Sequence, residues 1–256
     1  LAGPALANSR EDVGAPVGSV PQDGSAPIWQ GPTTAVLYDN GPLVTHPGGG
    51  FAGADASALQ TALGMGTYGF GHQILNDNRI ADDFTVPVGD TWDISTITFF
   101  AYQTGSSTGS TMNAVHFEIW DGVPGASNLV FGDMATNRLV ASSWTGMYRV
   151  LDTDLFGSLR PVMANIASPM GALQLSEGTY YVAWQTGGTL TSGPWAPPVS
   201  ILGQTATGNG LQSIAGAEYL PVDDAGGQAF PFIIEGSSGP VSVEASTWGQ
   251  VKTLYR

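Results

Sequence analysis

The chain has 256 residues, enough to bury a sizeable core without covalent staples. Its 21 Asp and Glu against seven Lys and Arg give a net charge of -14, which excludes nucleic acid and anionic membrane surfaces, because so few cations cannot neutralise phosphates. The absence of cysteine excludes disulfides, thiolate nucleophiles and thiolate metal sites.

Taken in order, Leu1-Ala-Gly-Pro-Ala-Leu-Ala7 reads as the tail of a secretory signal peptide, with Ala5-Leu6-Ala7 as its small-residue cleavage box. A secreted, extracellular or cell-surface protein is therefore expected. Residues 8–34 are rich in Pro, Gly, Ser and Ala without periodicity, and read as an extended leader or linker. A β domain is expected over residues 35–237, and a linker with a short helical tail over 238–256. Ala35–Tyr38 is a short strand closed by the turn signal Asp39-Asn40-Gly41-Pro42. Asp55 to Leu63 reads as two turns of helix, capped by Asp55 and stopped by Gly64.

From residue 79 the pattern is β. Thr96–Tyr102 is rich in β-formers, and Ala114–Trp120 alternates. Val115, Phe117 and Ile119 take one face; His116, Glu118 and Trp120 take the other. Further strands are expected at 128–131, 138–141, 148–151, 162–166, 173–175, 179–185 and 230–235. Many short strands punctuated by Gly, Pro, Asn and Asp predict an all-β, antiparallel β-sandwich, jelly-roll-like. Residues 186–228 hold few strand signals, and loop regions this long are commonly functional. In the tail, Trp248, Val251 and Tyr255 share one helical face, and Thr247 and Gln250 have capping-box spacing. No apolar run is long enough to span a bilayer.

Three chemistries are open. Calcium takes oxygen ligands, and Asn76 to Asp83 concentrates them, with Asp77, Asp82 and Asp83 as the carboxylates. Strand alternation puts Asp82 and Asp83 on opposite faces if Phe84 points inward, which weakens that set. Carbohydrate is bound by exposed rings beside carboxylates and amides. Trp195, in a Pro-rich loop, is the expected exposed ring. Trp120 with Glu118 and His116, and Trp144 with Tyr148, are the other candidates. Glycoside hydrolysis needs a second carboxylate opposite Glu118, and none stands out. No phosphate loop occurs, and His46 and His72 lack zinc spacing.

Four stretches carry a resemblance: Arg79-Ile-Ala-Asp-Asp-Phe-Thr-Val-Pro87, Ile97-Thr-Phe-Phe-Ala-Tyr-Gln-Thr-Gly105, Ile119-Trp-Asp-Gly-Val-Pro-Gly125 and Ala229-Phe-Pro-Phe-Ile-Ile-Glu-Gly236. Over about residues 35–237 they resemble a β-sandwich module of bacterial secreted and cell-surface proteins found in planctomycete-like and environmental sequences. The ending Trp248-Gly-Gln-Val-Lys-Thr-Leu-Tyr-Arg256 resembles a recurrent tail of secreted bacterial proteins. The resemblance implies secretion and a non-catalytic surface role, and supplies no functional residues. The expected function is binding or adhesion, with a polysaccharide or cell-surface glycan as partner. The alternatives are an extracellular filament or surface-layer subunit, self-associating through its leader by strand addition, and a glycoside hydrolase or lyase.

Overall fold

The computed structural model describes residues 9–240, so the expected signal-peptide remnant and C-terminal helix lie outside the described residues. The protein is nearly all β. Its strands are β1 (Arg10–Asp12), β2 (Ala35–Asp39), β3 (Asp55–Leu59), β4 (Thr67–Gly71), β5 (Arg79–Ala101), β6 (Met112–Trp120) and β7 (Leu129–Asp133). They continue with β8 (Leu139–Leu151), β9 (Pro161–Ala167), β10 (Gln174–Gly188), β11 (Trp195–Ala196), β12 (Leu211–Ser213), β13 (Leu220–Pro221) and β14 (Phe232–Pro240). The pairing is antiparallel apart from β3 against β8, which is parallel.

One strand organises the rest. β5 pairs with β10, β9, β12 and β14. Two partners at the same residues must lie on opposite edges. β10 and β12 both meet residues 80 and 81, β10 and β14 both meet 91–93, and β14 and β9 both meet 97–99. One edge therefore carries β10 and then β9; the other carries β12 and then β14. The first half of β5 continues through β10 into β6 and β7, and the second half through β9 into β8 and β3. A separate small sheet runs β1-β4-β11.

The main core lies where strands from both halves meet. Trp184 of β10 stacks on Phe99 of β5, with centroids 4.8 Å apart, and meets Phe232 of β14 edge-on at 6.0 Å. Phe84 stacks on Trp92 and on Tyr180. Each such ring pair adds about 0.5–1.5 kcal/mol beyond simple burial. A second cluster gathers Tyr68, Phe100, Tyr102, Val162 and Trp195.

The expected helix over 55–63 is not formed. Asp55–Leu59 is β3, and only Thr61–Leu63 makes a 3-10 turn, ended by Gly64 at φ 88. Residues 56–59 are all buried, and their backbone pairs with 147–151 of β8. A tertiary ladder outweighs the modest helical preference of five residues. Asp55 caps no helix; its Oδ1 accepts the Gly48 N–H at 2.7 Å.

The segment expected as a leader enters the domain. Ser9 to Asp12 pairs with β4 of its own chain. Glu11 is buried and receives two N–H bonds from Arg160, at 3.0 and 2.9 Å. Tyr102 Oη–H and Thr104 Oγ1–H donate to the same carboxylate at 2.7 and 2.6 Å. The Arg160 guanidinium lies 3.7 Å from the Tyr68 ring centroid. Removing one member of a buried pair strands the other charge, at about 3–5 kcal/mol. Glu11→Gln is therefore expected to lower the urea midpoint strongly; an unchanged midpoint would mean that the segment contributes nothing to stability.

Candidate functional site

The Asp-rich approach to β5 is split by strand alternation. Ile80, Asp82, Phe84 and Val86 are buried on one face, while Arg79 and Asp83 are half-buried on the other. Asp82 is 1% exposed. It accepts N–H bonds from Phe230 (2.6 Å), Asp83 (2.9 Å) and Asn40 Nδ2 (2.9 Å). Asp77 adopts φ 51, and its Oδ1 takes both Nε and Nη2 of Arg79, at 3.0 and 2.8 Å. The expected calcium ligands Asp77, Asp82 and Asp83 are thus not gathered. Among the described residues no three His, Asp or Glu side chains come together as a metal site. At Asp82 both carboxylate oxygens already accept N–H bonds.

The outer face of β5 and its neighbours brings together a different set. Register fixes it row by row. Glu118 lies opposite Ala183, which lies opposite Ala81, which lies opposite Leu211. The adjacent row runs Trp120, Tyr181, Asp83. Ala81 and Ala183 are completely covered, because Trp120, Tyr181, Tyr219, Met134 and Leu211 pack over them. Small side chains on a pleated sheet leave room for large rings above them. Trp120, Tyr181 and Tyr219 are each half-buried, and the Tyr219 hydroxyl itself is buried.

Polar groups border these rings. Trp120 Nε1–H donates to Glu118 Oε2 at 3.1 Å. Burial raises the Glu118 carboxyl, while that bond and the charge of Arg79 pull it back down. Arg79 also acts on Tyr219, so it stands between the two. Gln185 Nε2 donates to His116 Nδ1 and to Met134 O, both at 3.1 Å. His116 Nδ1 is then an acceptor, which leaves its proton on Nε2 and matches a pKa lowered by burial. Asp133 lies near, but its oxygens cap Ala135 N–H and Thr136 N–H and pair with Arg138. Those backbone bonds hold its carboxyl down at about 2.

The other expected rings lie elsewhere. Trp195, expected to be exposed, is 4% exposed. Its backbone pairs with Tyr102 and Gly71, and its ring joins the second core cluster, so the Pro-rich loop around it folds inward rather than presenting it. Trp144 and Tyr148 line a separate cleft with Phe51 and the 22–28 segment. His72 is fully buried, and desolvation pulls its pKa down to about 4, so it is a neutral core residue. Sequence reasoning missed Tyr181, Tyr219 and Arg79 as neighbours of Trp120. The alternation of β10 offered Tyr181, but Tyr219 comes from a loop that no local pattern aligns with β6.

No family model, curated protein or solved structure matches the chain.

One outcome follows from Asp82. Burial raises its pKa from 3.8 to about 7, against the opposing N–H bonds. An acid whose pKa is higher folded than unfolded contributes stability that is fully present below pH 4 and lost as pH rises towards 7. Asp82→Asn is therefore expected to flatten the fall of the urea midpoint between pH 4 and 7; an unchanged slope would place the titration elsewhere.

Proposed function

We propose that the protein is a secreted, non-catalytic binding module, built as a jelly-roll-like β-sandwich, that holds polysaccharide against the Trp120–Tyr181–Tyr219 surface. The observation that carries this reading is the combination of three half-buried rings on one sheet face with Glu118, Arg79 and His116 at their margin. Pyranose rings present C–H faces that stack on aromatics, and hydroxyls that bond carboxylates, guanidinium and imidazole. Four adjacent strands, β6, β10, β5 and β12, span about 14 Å at ~4.8 Å per step. That length suits a short run of sugars rather than a single ring.

Binding is favoured over hydrolysis by the state of the carboxylates. Glu118 senses the charges of Asp133 and Asp77, but Asp133 is committed to backbone N–H groups and Asp77 to Arg79. A hydrolase needs a second carboxyl free to act as base or nucleophile. The resemblance to secreted surface modules and the signal-like Ala5-Leu6-Ala7 support the extracellular setting.

A glycan array followed by affinity electrophoresis tests the reading. At least one polysaccharide is expected to retard the protein. Trp120→Ala is expected to weaken that binding about tenfold or more, as loss of a central aromatic contact does. Glu118→Gln should weaken it less, without altering any slow hydrolysis. Failure to bind any polysaccharide, or full binding by Trp120→Ala, would sink the assignment.

A further inference from the structure

A cleft of about 450 Å³ opens between β8, the 51–54 turn and the 22–28 segment. It is separate from the Trp120 surface and does not depend on the reading given to that surface. Trp144, Phe51 and the almost wholly buried Tyr148 are its aromatic lining. The Trp144 and Tyr148 rings stand 5.2 Å apart at 50°, and Phe51 meets Tyr148 edge-on at 87°. Ile28, 50% exposed, adds an aliphatic wall. No Lys, Arg or His lines the cleft, and Asp23 is the single charged side chain among its lining residues. Two bonds from Ser25, from N–H at 3.0 Å and Oγ–H at 2.6 Å, hold the Asp23 carboxylate ionised.

The hydrogen-bonding groups here are largely spent on the protein itself. Trp144 Nε1–H donates to Met147 O at 3.0 Å. Tyr148 Oη–H donates to Gln22 Oε1 at 2.8 Å, and Gln22 Nε2 donates to Val20 O at 2.7 Å. Thr108 Oγ1–H donates to Asp23 O at 2.8 Å. A sugar or an anion would find few donors free. What is left is ring surface, an aliphatic wall and one negative charge at the mouth. Ring faces attract cations through their quadrupole, most strongly when water is excluded. A methylated ammonium suits such a place. It brings positive charge without N–H groups that would each need an acceptor, and its methyls pack against rings and Ile28.

We propose that this cleft binds a small, free organic cation carrying a methylated ammonium head, with Trp144 and Phe51 against the methyl groups and Asp23 as counter-charge.

The test titrates the full chain with choline and tetramethylammonium, followed by tryptophan fluorescence and proton NMR. The neutral isostere 3,3-dimethylbutan-1-ol runs beside them. Saturable binding of both cations is expected, with the isostere weaker by roughly tenfold. Asp23→Asn, at an exposed position, should weaken choline about three- to fivefold and make its affinity less salt-dependent. Phe51→Ala should weaken both cations, and Trp120→Ala should leave them unchanged. Should Phe51→Ala fail to fold, Asp23→Asn and the isostere decide alone. Absence of saturable cation binding overturns the proposal. So does equal binding of the isostere, or unchanged affinity in Asp23→Asn.

Discussion

A β-strand has two edges for hydrogen bonding and two faces for side chains, and β5 uses all four. Its edges change partners along their length, from β10 to β9 on one side and from β12 to β14 on the other. Its inner face supplies Ile80, Phe84, Val86, Trp92, Ile94, Ile97 and Phe99 to the main core. Side-chain direction alternates over residues 79–86, so the register that buries Phe84 also buries Asp82 and turns Ala81 and Asp83 outward; an irregularity at Ser95 then moves the inward positions from Trp92 and Ile94 to Ile97 and Phe99. A one-residue slip would exchange the faces. It would put Arg79 and Asp83 into the core and Phe84 into solvent, so the hydrophobic pattern and the outer surface are fixed together.

Several charges are buried, and each is held by a different device. Glu11 and Arg160 satisfy each other, with Tyr102, Thr104 and Pro16 O taking up further bonds. Arg149 keeps its guanidinium among neutral acceptors: Tyr68 O, Ser57 Oγ and Ser200 Oγ, at 2.9 to 3.1 Å. Burial pulls its pKa down to about 10, still far above neutrality. Asp82 relies on three N–H donors that join β5 to Asn40 and Phe230. Such groups contribute less net stability than apolar residues of the same size, but each is satisfied in one arrangement of the chain. They tie the N-terminal segment, the approach to β14 and the β8 strand to unique positions.

The two aromatic surfaces differ in what surrounds their rings. Around Trp120 stand a carboxylate, a guanidinium and an imidazole, each bonded within the protein: Glu118 to Trp120, Arg79 to Asp77 and His116 to Gln185. Around Trp144 the donors are likewise bonded internally, and Asp23 is the single charged side chain among the residues lining the cleft. The two surfaces therefore differ in the charged groups beside their rings, not in the rings themselves.

By itself the sequence determined the β character, the approximate position of most long strands, and the alternation that places His116, Glu118 and Trp120 on one face. Period-two patterning is local, so it is legible without knowledge of partners. It also showed that Asp82 and Asp83 must part if Phe84 is inward. The tertiary structure decided what depends on distant segments. Asp55–Leu59 became a strand because β8 offered it a ladder, and Trp195 went inward because β4 and Tyr102 paired with its loop. Glu11 found Arg160 across 149 positions of chain, and Tyr219 reached the Ala81–Ala183 patch from a loop. These contacts join residues far apart in sequence, and no spacing within the chain encodes which distant backbone edge or small-residue patch will receive them.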